Sequence, residues 1–351
     1  MSTRLRQRAR RSALTLLTGA TLAVLVSATS ATAAPLDGQS GNRGGTGTTA
    51  LADVWMKDHA DDVGLQPHSI FNFWESPDIK VCPTAVECNE SQQPVVNQPA
   101  YIFVTLRNPG PYAGPVVEHG RIEVWGSPSA SGSAWPGDWT RIGWQSVPSY
   151  PGTTKVTILW PKVPGPGGHY CLIARWISPN DPPTFESPDI GVTVRHNNNF
   201  AQRNMERVRT IPAGPFVDVP HTFGNALATG TRNSLLFSAA GAPLSTAGGR
   251  LVADLGSTVY ERWLAGGKVG KGVRDLGRNQ IEIVDPGQAS LDNIALNPRE
   301  KLALTLRFST TTVTKETMTV RLAQIGPNSL GEERAVLGGV SYDVTAGLPS
   351  S

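Results

Sequence analysis

Short stretches in which hydrophobic and polar residues alternate recur along most of the chain, beginning near residue 51. Period-two alternation rich in β-branched and aromatic residues is typical of strands with one buried face. Pro and Gly clusters separate the stretches and favour turns, because Pro fixes φ and Gly permits positive φ. The clearest predicted strands are Tyr101–Arg107, Arg121–Gly126, Lys155–Trp160, His169–Trp176, Ile190–Arg195, Ser234–Ser238, Leu251–Leu255, Ile281–Val284, Leu302–Phe308, Thr317–Leu322 and Val340–Val344.

Helical periodicity is confined to a single turn at Tyr260–Leu264, so both halves of the chain are predicted to be all-β. Many short strands with regular turn signals favour sandwiches. We therefore predict two immunoglobulin-like β-sandwich domains in tandem, at residues 51–196 and 208–347, joined by a polar linker at 197–207. The sequence of Glu75–Ile79 recurs at Glu186–Ile190, which we interpret as the starts of two strands.

The first 33 residues have the pattern of a secretory signal peptide. Five Arg precede an apolar run from Ala13 to Val26, and Ala31-Thr32-Ala33 forms a small-residue cleavage site. The run is short for a bilayer, which needs about 20 residues, although an uncleaved anchor is the alternative. Arg10-Arg11 leaves twin-arginine export open beside the general secretory route. The Gly/Ser/Thr-rich residues 34–50 are predicted to be a flexible tail.

Removal of this leader changes the charge of the chain. The whole sequence has 31 Lys and Arg against 28 Asp and Glu, and without the five leader Arg it has 26 against 28. A slightly acidic chain lacks the basic surface of a nucleic-acid-binding protein. No second apolar stretch reaches membrane length, so we predict a secreted, extracellular protein without a membrane span in its mature chain.

Three cysteines are present, and export permits disulfides. Cys82 and Cys88 enclose a small loop and are the predicted pair. Cys171 lies in an apolar stretch and is predicted to be a buried thiol; a bridge from Cys171 to one of the other two is the alternative.

Four segments of the first half resemble the immunoglobulin-like domains of secreted bacterial proteins and are similar to the CARDB class, the cell-adhesion-related domains of bacteria. The resemblance covers about Leu51–Arg195 and implies an adhesion, display or spacer role. The second half is only generically similar, through its Leu296–Glu300 turn and the alternating strand that follows. The matching segments are Trp55–Gly64, Trp74–Ile79, Asn97–Gly110 and Gly168–Arg175.

Catalytic signatures are missing from the sequence. There is no G-x-S-x-G elbow, and none of the six His falls in an H-E-x-x-H motif. A copper monooxygenase would need a His at the mature N-terminus, where Ala34 is predicted instead. We therefore predict a non-enzymatic protein without a cofactor, and a secreted hydrolase with an unrecognised site is the alternative.

Asp58, Asp61 and Asp62 place three carboxylates in one loop, and calcium prefers several oxygen ligands. They are weak candidates for a metal site, because the spacing does not match an EF-hand. The alternative is that they are solvated turn residues.

Tryptophan is the most informative residue type, since eight of the nine lie between Leu51 and Arg195. Trp135, Trp139 and Trp144 fall in a Gly/Pro/Ser-rich stretch that is predicted to be a loop. Flat rings at the edge of a sandwich can stack on sugars or anchor a protein, whereas large aromatics also commonly cap a core. We predict binding or adhesion to an extracellular glycan or protein through these residues. A structural component of an extracellular assembly is the alternative, and the oligomeric state stays open.

Overall fold

The computed structural model describes residues 51–128, 131–165, 170–183 and 185–347. The predicted signal peptide at 1–33 and tail at 34–50 lie outside the described residues. All described residues belong to one compact unit, Thr48–Ser351.

Strands dominate this unit, which confirms the all-β prediction. The strands are β1 (Ile79–Cys82), β2 (Ala100–Asn108), β3 (Glu118–Ser127), β4 (Thr140–Ser149), β5 (Gly152–Trp160), β6 (Cys171–Ile177), β7 (Phe200–Arg203), β8 (Met205–Thr210), β9 (Val217–Gly224), β10 (Thr231–Gly241), β11 (Arg250–Asp254), β12 (Gly270–Lys271), β13 (Val273–Gly277), β14 (Gln280–Ile283), β15 (Ser290–Leu296), β16 (Lys301–Ser309), β17 (Thr314–Gly326) and β18 (Ala335–Ala346). The α-helices are α1 (Ile190–Arg195) and α2 (Gly256–Ala265), and a 3₁₀ turn spans Leu244–Ala247. Neither α-helix is long and apolar enough to cross a bilayer.

The first half packs two sheets against each other. A three-stranded sheet has the order β1-β2-β5, and a four-stranded sheet has the order β4-β3-β6-β7. Their inner faces share one core, to which β2 contributes Ile102, Val104 and Leu106 and β3 contributes Ile122 and Val124. These are the apolar positions of the alternating pattern, because a period of two places alternate residues on one face.

The second half repeats this layering with larger sheets. A six-stranded sheet, β12-β15-β10-β17-β18-β8, packs on a five-stranded sheet, β13-β14-β11-β16-β9. Leu304, Leu306 and Phe308 of β16 enter the shared core, and α2 adds Val259 and Trp263.

The segment 197–207, predicted to be a linker, contains strand β7 and the first residues of strand β8. β7 pairs with β6 in the first half, and β8 runs parallel to β18 in the second. Asn204 stands between them, fully buried, and its side chain donates to the carbonyl of Gly339. The chain therefore crosses from one sheet pair to the other at a single residue. The boundary between two domains stays a prediction.

A third apolar cluster joins the two halves and contains Phe73, Trp74, Trp135, Ile173 and Ile325, among others. Polar contacts surround this cluster. The Trp74 indole N–H donates to the Ser341 hydroxyl at 3.0 Å, and Arg321 donates two hydrogen bonds to Glu75, at 2.5 and 2.9 Å. The first half is thus anchored to the outer face of the six-stranded sheet.

The prediction of a strand at Ile190–Arg195 is wrong, because these residues form helix α1. Asp189 caps the helix, and its carboxylate accepts from the backbone N–H groups of Gly191 and Val192. Residues 190–194 are all buried. A short helix that is buried on every side has no periodic alternation of apolar and polar residues. The Ile-x-Val-x-Val sequence of α1 therefore resembles that of a strand.

Candidate functional site

The structure separates the three tryptophans that were predicted to bind together. Trp135 and Trp139 are each only 6% exposed, whereas Trp144 is 54% exposed. Trp144 belongs to strand β4 rather than to a loop. A buried indole offers no face to a ligand, so Trp135 and Trp139 are core residues in this structure and Trp144 is left as the candidate contact residue.

Trp135 and Trp139 are buried because their loop lies between the two halves. The Trp135 ring makes edge contacts with Trp125 at 5.2 Å and with Phe200 at 5.6 Å, measured between ring centroids. Its indole N–H donates to Glu186 at 2.7 Å. Gly132 has a φ of 60°, and a Cβ there would lie 2.0 Å from the Gly224 carbonyl oxygen of the second half. The loop is therefore held by both halves and leaves its tryptophans inside.

The exposed ring of Trp144 belongs to a row of residues across the four-stranded sheet. In the observed register Trp144 of β4 lies opposite Glu123 of β3, Glu123 opposite Arg175 of β6, and Arg175 opposite Phe200 of β7. Residues directly opposite each other in antiparallel strands point to the same face. The outer face of this sheet thus combines aromatic rings with charged groups.

Glu123 is the centre of this face, and it is only 2% exposed. Its Oε1 lies 2.9 Å from Arg121 and 3.6 Å from Arg141, and its Oε2 lies 3.4 Å from Arg175. The Trp125 indole N–H also donates to Oε2, at 3.2 Å. One buried carboxylate therefore holds three guanidinium groups in place.

Each of these guanidinium groups also lies over an aromatic ring. Arg121 lies 5.9 Å from the Trp144 centroid, Arg141 lies 6.0 Å from Trp125, and Arg175 lies 5.6 Å from Phe200. Such cation–π contacts contribute about 0.5–1 kcal/mol each at exposed positions. We name the surface formed by Arg121, Glu123, Trp125, Arg141, Trp144 and Arg175 the arginine–tryptophan face.

The three weak metal candidates have structural partners instead. Asp58 accepts from the Gln202 N–H and contacts the His68 ring at 2.8 Å, and burial raises the pKa of Asp58 to about 7. Asp62 accepts from the backbone N–H groups of Asp58 and Gly64, and the Asp61 side chain is exposed. No group of three or more potential ligands suited to a metal ion occurs in the described part of the chain. These contacts favour loop bracing as the role of Asp58 and Asp62.

Among the residues that the structure describes, His59 and His68 contact carboxylates, which bears on the hydrolase alternative. Nε2 of His68 faces Asp58, and its Nδ1 accepts from the Ile70 N–H at 3.3 Å. Both ring nitrogens are therefore engaged. His59 lies 3.8 Å from Glu75, but the nearby Ser341 hydroxyl donates to Glu75 itself and is fully buried. Neither arrangement places an imidazole beside an accessible hydroxyl, as a serine nucleophile requires.

Cys82 and Cys88 form a disulfide with an S–S distance of 2.02 Å. Cys171 lies outside this bridge and is fully buried, and burial raises the pKa of its thiol well above the usual value. A buried thiol of high pKa is a poor nucleophile, so Cys171 acts as a small core residue.

No protein-family model matches the chain, and no curated protein matches it significantly. Its fold is similar to that of the CupB6 tip adhesin of Pseudomonas aeruginosa, at 9% identity and a TM-score of 0.21 over 79% of this chain and 97% of that chain. The collagen adhesin CNA of S. aureus gives 9% identity and a TM-score of 0.22, over 77% and 92%. AvmM, which catalyses macrocyclization in alchivemycin A biosynthesis, gives 11% and 0.24, over 41% and 86%.

These similarities in structure are too low to transfer a partner or an activity. The specific resemblance to CARDB domains stays a prediction.

Sequence reasoning missed the four charged residues of the face: Arg121, Glu123, Arg141 and Arg175. The alternation of β3 does place Arg121, Glu123 and Trp125 on one side of that strand. The positions of Arg141 and Arg175 next to them follow from the register between strands, which the sequence does not specify.

Proposed function

We propose that the protein is a secreted, non-enzymatic binding protein whose arginine–tryptophan face contacts an extracellular glycan. The observation that carries this proposal is the exposed indole of Trp144 on strand β4, with the guanidinium group of Arg121 lying 5.9 Å from its ring centroid and Arg141 on the same strand. Secretion rests on the signal-peptide pattern of the sequence.

A sugar ring has an apolar C–H face and a rim of hydroxyl groups. The exposed part of Trp144 offers a flat apolar surface to such a C–H face. Arg121 and Arg141 are 44% and 47% exposed on their side chains and offer N–H donors to the hydroxyl rim. Apolar stacking flanked by donors fits a glycan better than it fits a protein, because protein hot spots need a larger desolvated apolar centre.

The scaffold holds this face rigidly before a ligand arrives. Trp144 and Arg141 belong to a ten-residue strand paired along its length with β3, and the shared Glu123 positions the guanidinium groups. A ring fixed in place loses little conformational entropy on binding, which favours affinity. The engaged nitrogens of His68 and the burial of Ser341 support the non-enzymatic part of the proposal.

A glycan array followed by calorimetry tests the proposal. We expect the full secreted chain to bind at least one glycan, and the Trp144→Ala variant to bind it about tenfold more weakly or worse. Trp144→Phe should keep part of the affinity, because an aromatic ring remains. Tyr150→Ala is the matched control, since Tyr150 is 55% exposed and lies six residues away, about 20 Å along an extended chain.

Unchanged binding by Trp144→Ala would place the site elsewhere on the protein. A protein that binds no glycan, but is captured by one defined secreted protein, would favour the structural or accessory role instead.

A further inference from the structure

The arginine–tryptophan face carries more positive than negative charge. Three guanidinium groups, those of Arg121, Arg141 and Arg175, face two carboxylates, those of Glu123 and Glu186. Arg175 contacts both carboxylates, so the surplus charge lies with Arg121 and Arg141. These two are also the more exposed of the three arginines.

Glu123 has too few acceptor sites for all the N–H donors of its three arginines. It is buried, and its two oxygens are divided among three guanidinium groups and the Trp125 indole. Each guanidinium has five N–H donors, and within the described residues Arg121 and Arg141 form ion pairs with Glu123 alone. Both therefore retain donors that face solvent.

A groove extends this positive surface beyond the edge of the sheet. Its volume is about 450 Å³, and its lining includes Arg141, Ile142, Trp160, Lys162 and Tyr170. Trp160 and Tyr170 make an edge contact at 5.3 Å and provide an aromatic wall. Arg141 thus belongs to both the face and the groove, and Lys162 adds a second cation at the groove.

We propose that the glycan bound by this face is anionic, with its acidic group held by Arg121 and Arg141 while a sugar ring stacks on Trp144. This inference rests on the proposed function and narrows it to one class of ligand. The planar fork of an arginine matches the two oxygens of a carboxylate or the oxygens of a sulfate or phosphate ester. The chemistry required is therefore an acidic sugar residue, and the binding assay distinguishes the kinds of acid.

The test compares each acidic glycan with its neutral counterpart. Suitable pairs are oligogalacturonate and its methyl ester, heparin oligosaccharide and its desulfated, N-acetylated and carboxyl-reduced form, and a phosphorylated and a dephosphorylated mannan. We expect at least one acidic member to bind about tenfold more tightly than its neutral counterpart, since its acidic group can form ion pairs with two exposed guanidinium groups. This preference should shrink as salt is raised, because the Debye length falls from about 10 Å at 0.1 M to about 3 Å at 1 M.

Variants separate the contribution of the two arginines from that of Trp144. Arg121→Gln and Arg141→Gln should abolish the preference for the acidic member while weak binding to the neutral sugar persists, and Trp144→Ala should weaken both. Lys315→Gln removes a cation from the strand β17 of the second half and should change neither.

Equal binding of acidic and neutral members in every pair would overturn the inference and leave the proposed function standing. The same holds if both arginine variants keep the full preference. No binding to either member of any pair would also overturn the inference, and it would refute the proposed function as well if the glycan array shows no binding either. Circular dichroism and thermal melts of each variant show whether a loss of binding reflects a loss of fold.

Discussion

Asp181 is a buried carboxylate whose removal is expected to stabilise the protein. Its Oδ2 accepts from the Val54 backbone N–H at 2.8 Å and from the Asn199 side chain at 2.7 Å. Burial raises the pKa of Asp181 to about 7, and the negative charge of Asp53 adds to this effect. The two hydrogen bonds lower the pKa by less than burial raises it. In Asp181→Asn the amide oxygen can take the place of Oδ2, so both hydrogen bonds are kept and the charge is lost.

The expected gain in the free energy of unfolding follows from the shift in the pKa of Asp181. The unfolded chain has the ordinary value of 3.8 and the folded protein a value of about 7. Below the unfolded pKa both states are protonated, and the wild type should match the variant. Between the two values only the folded state keeps its proton, so wild-type stability falls as pH rises through the folded pKa. About three units at roughly 1.4 kcal/mol each give an upper bound of about 4 kcal/mol at pH 8. Partial exposure of Asp181 screens its charge and reduces the expectation to about 2–3 kcal/mol.

Urea denaturation at pH 8, 6 and 4 measures this effect. We expect Asp181→Asn to be more stable than the wild type at pH 8, with a gap that narrows steadily toward pH 4. Asp61→Asn is the matched control, because it makes the same chemical change on a side chain that is 86% exposed. It should shift stability by less than about 0.5 kcal/mol at each pH.

Two results would refute the reasoning. A variant that is less stable than the wild type at pH 8 would show that the charge of Asp181 strengthens its hydrogen bonds by more than burial costs. A gap that does not depend on pH would show that packing, and not ionisation, distinguishes the two side chains.

Four further predictions concern stability. Trp135→Ala should lose about 3–5 kcal/mol by opening a cavity between the halves, whereas Trp144→Ala should lose no more than about 1 kcal/mol, the size of its cation–π contact with Arg121; thermal melts compare the two directly. Gly132→Ala should lower the melting temperature by several degrees, because its Cβ would meet the Gly224 carbonyl oxygen, and Gly137→Ala, with open space at its Cβ, is the control. Glu75→Gln should destabilise at pH 7 in urea denaturation, and the gap to the wild type should shrink as the pH falls through the lowered pKa of Glu75. Burial opposes the ionisation of Glu75, but hydrogen bonds from Arg321 and Ser341 outweigh it and lower its pKa, so its stabilisation is lost as pH falls. The wild type should gain stability between pH 8 and pH 5.5, since burial also raises the pKa of Asp58 to about 7 and of Asp189 to about 6; scanning calorimetry across this range checks the sign.

The alternating strands were predictable from sequence because they obey a local rule. In β2 and β16 each apolar position of the pattern points into a sheet-to-sheet core, and the polar positions between them are more exposed. Of the strands that sequence reasoning missed, β9 and β15 do alternate between buried and exposed residues, whereas β4 lacks this contrast. β4 has only Ser149 fully buried among its ten residues, since it is an edge strand whose Ile142 and Val147 pack only partly against the core.

The repeated Glu-Ser-Pro-Asp-Ile segment shows that local sequence determines a turn but not the element that follows it. In both copies the Ser hydroxyl accepts from the Asp N–H, at 3.2 Å for Ser76 and 3.1 Å for Ser187. The turn is therefore the same, as the sequence identity predicts. In the first copy two hydrogen bonds from Arg107 engage the Asp78 carboxylate, and the chain continues as β1. In the second copy the Asp189 carboxylate caps helix α1 instead. The same five-residue sequence therefore starts a strand where Arg107, 29 residues away, binds its Asp, and a helix where the Asp caps the chain that follows.

Local sequence also fails to predict which tryptophans are buried and which are exposed. Trp135 and Trp144 stand nine residues apart in one Gly- and Ser-rich stretch, and nothing in their immediate sequence distinguishes them. Trp135 is buried because the second half of the chain, more than 80 residues further on, closes over its loop through Gly224. Trp144 is exposed because the register with β3 sets it opposite Glu123, on the outer face. Both facts are properties of contacts between distant segments. Composition therefore predicts a region rich in tryptophan, whereas strand pairing decides which of these tryptophans is exposed.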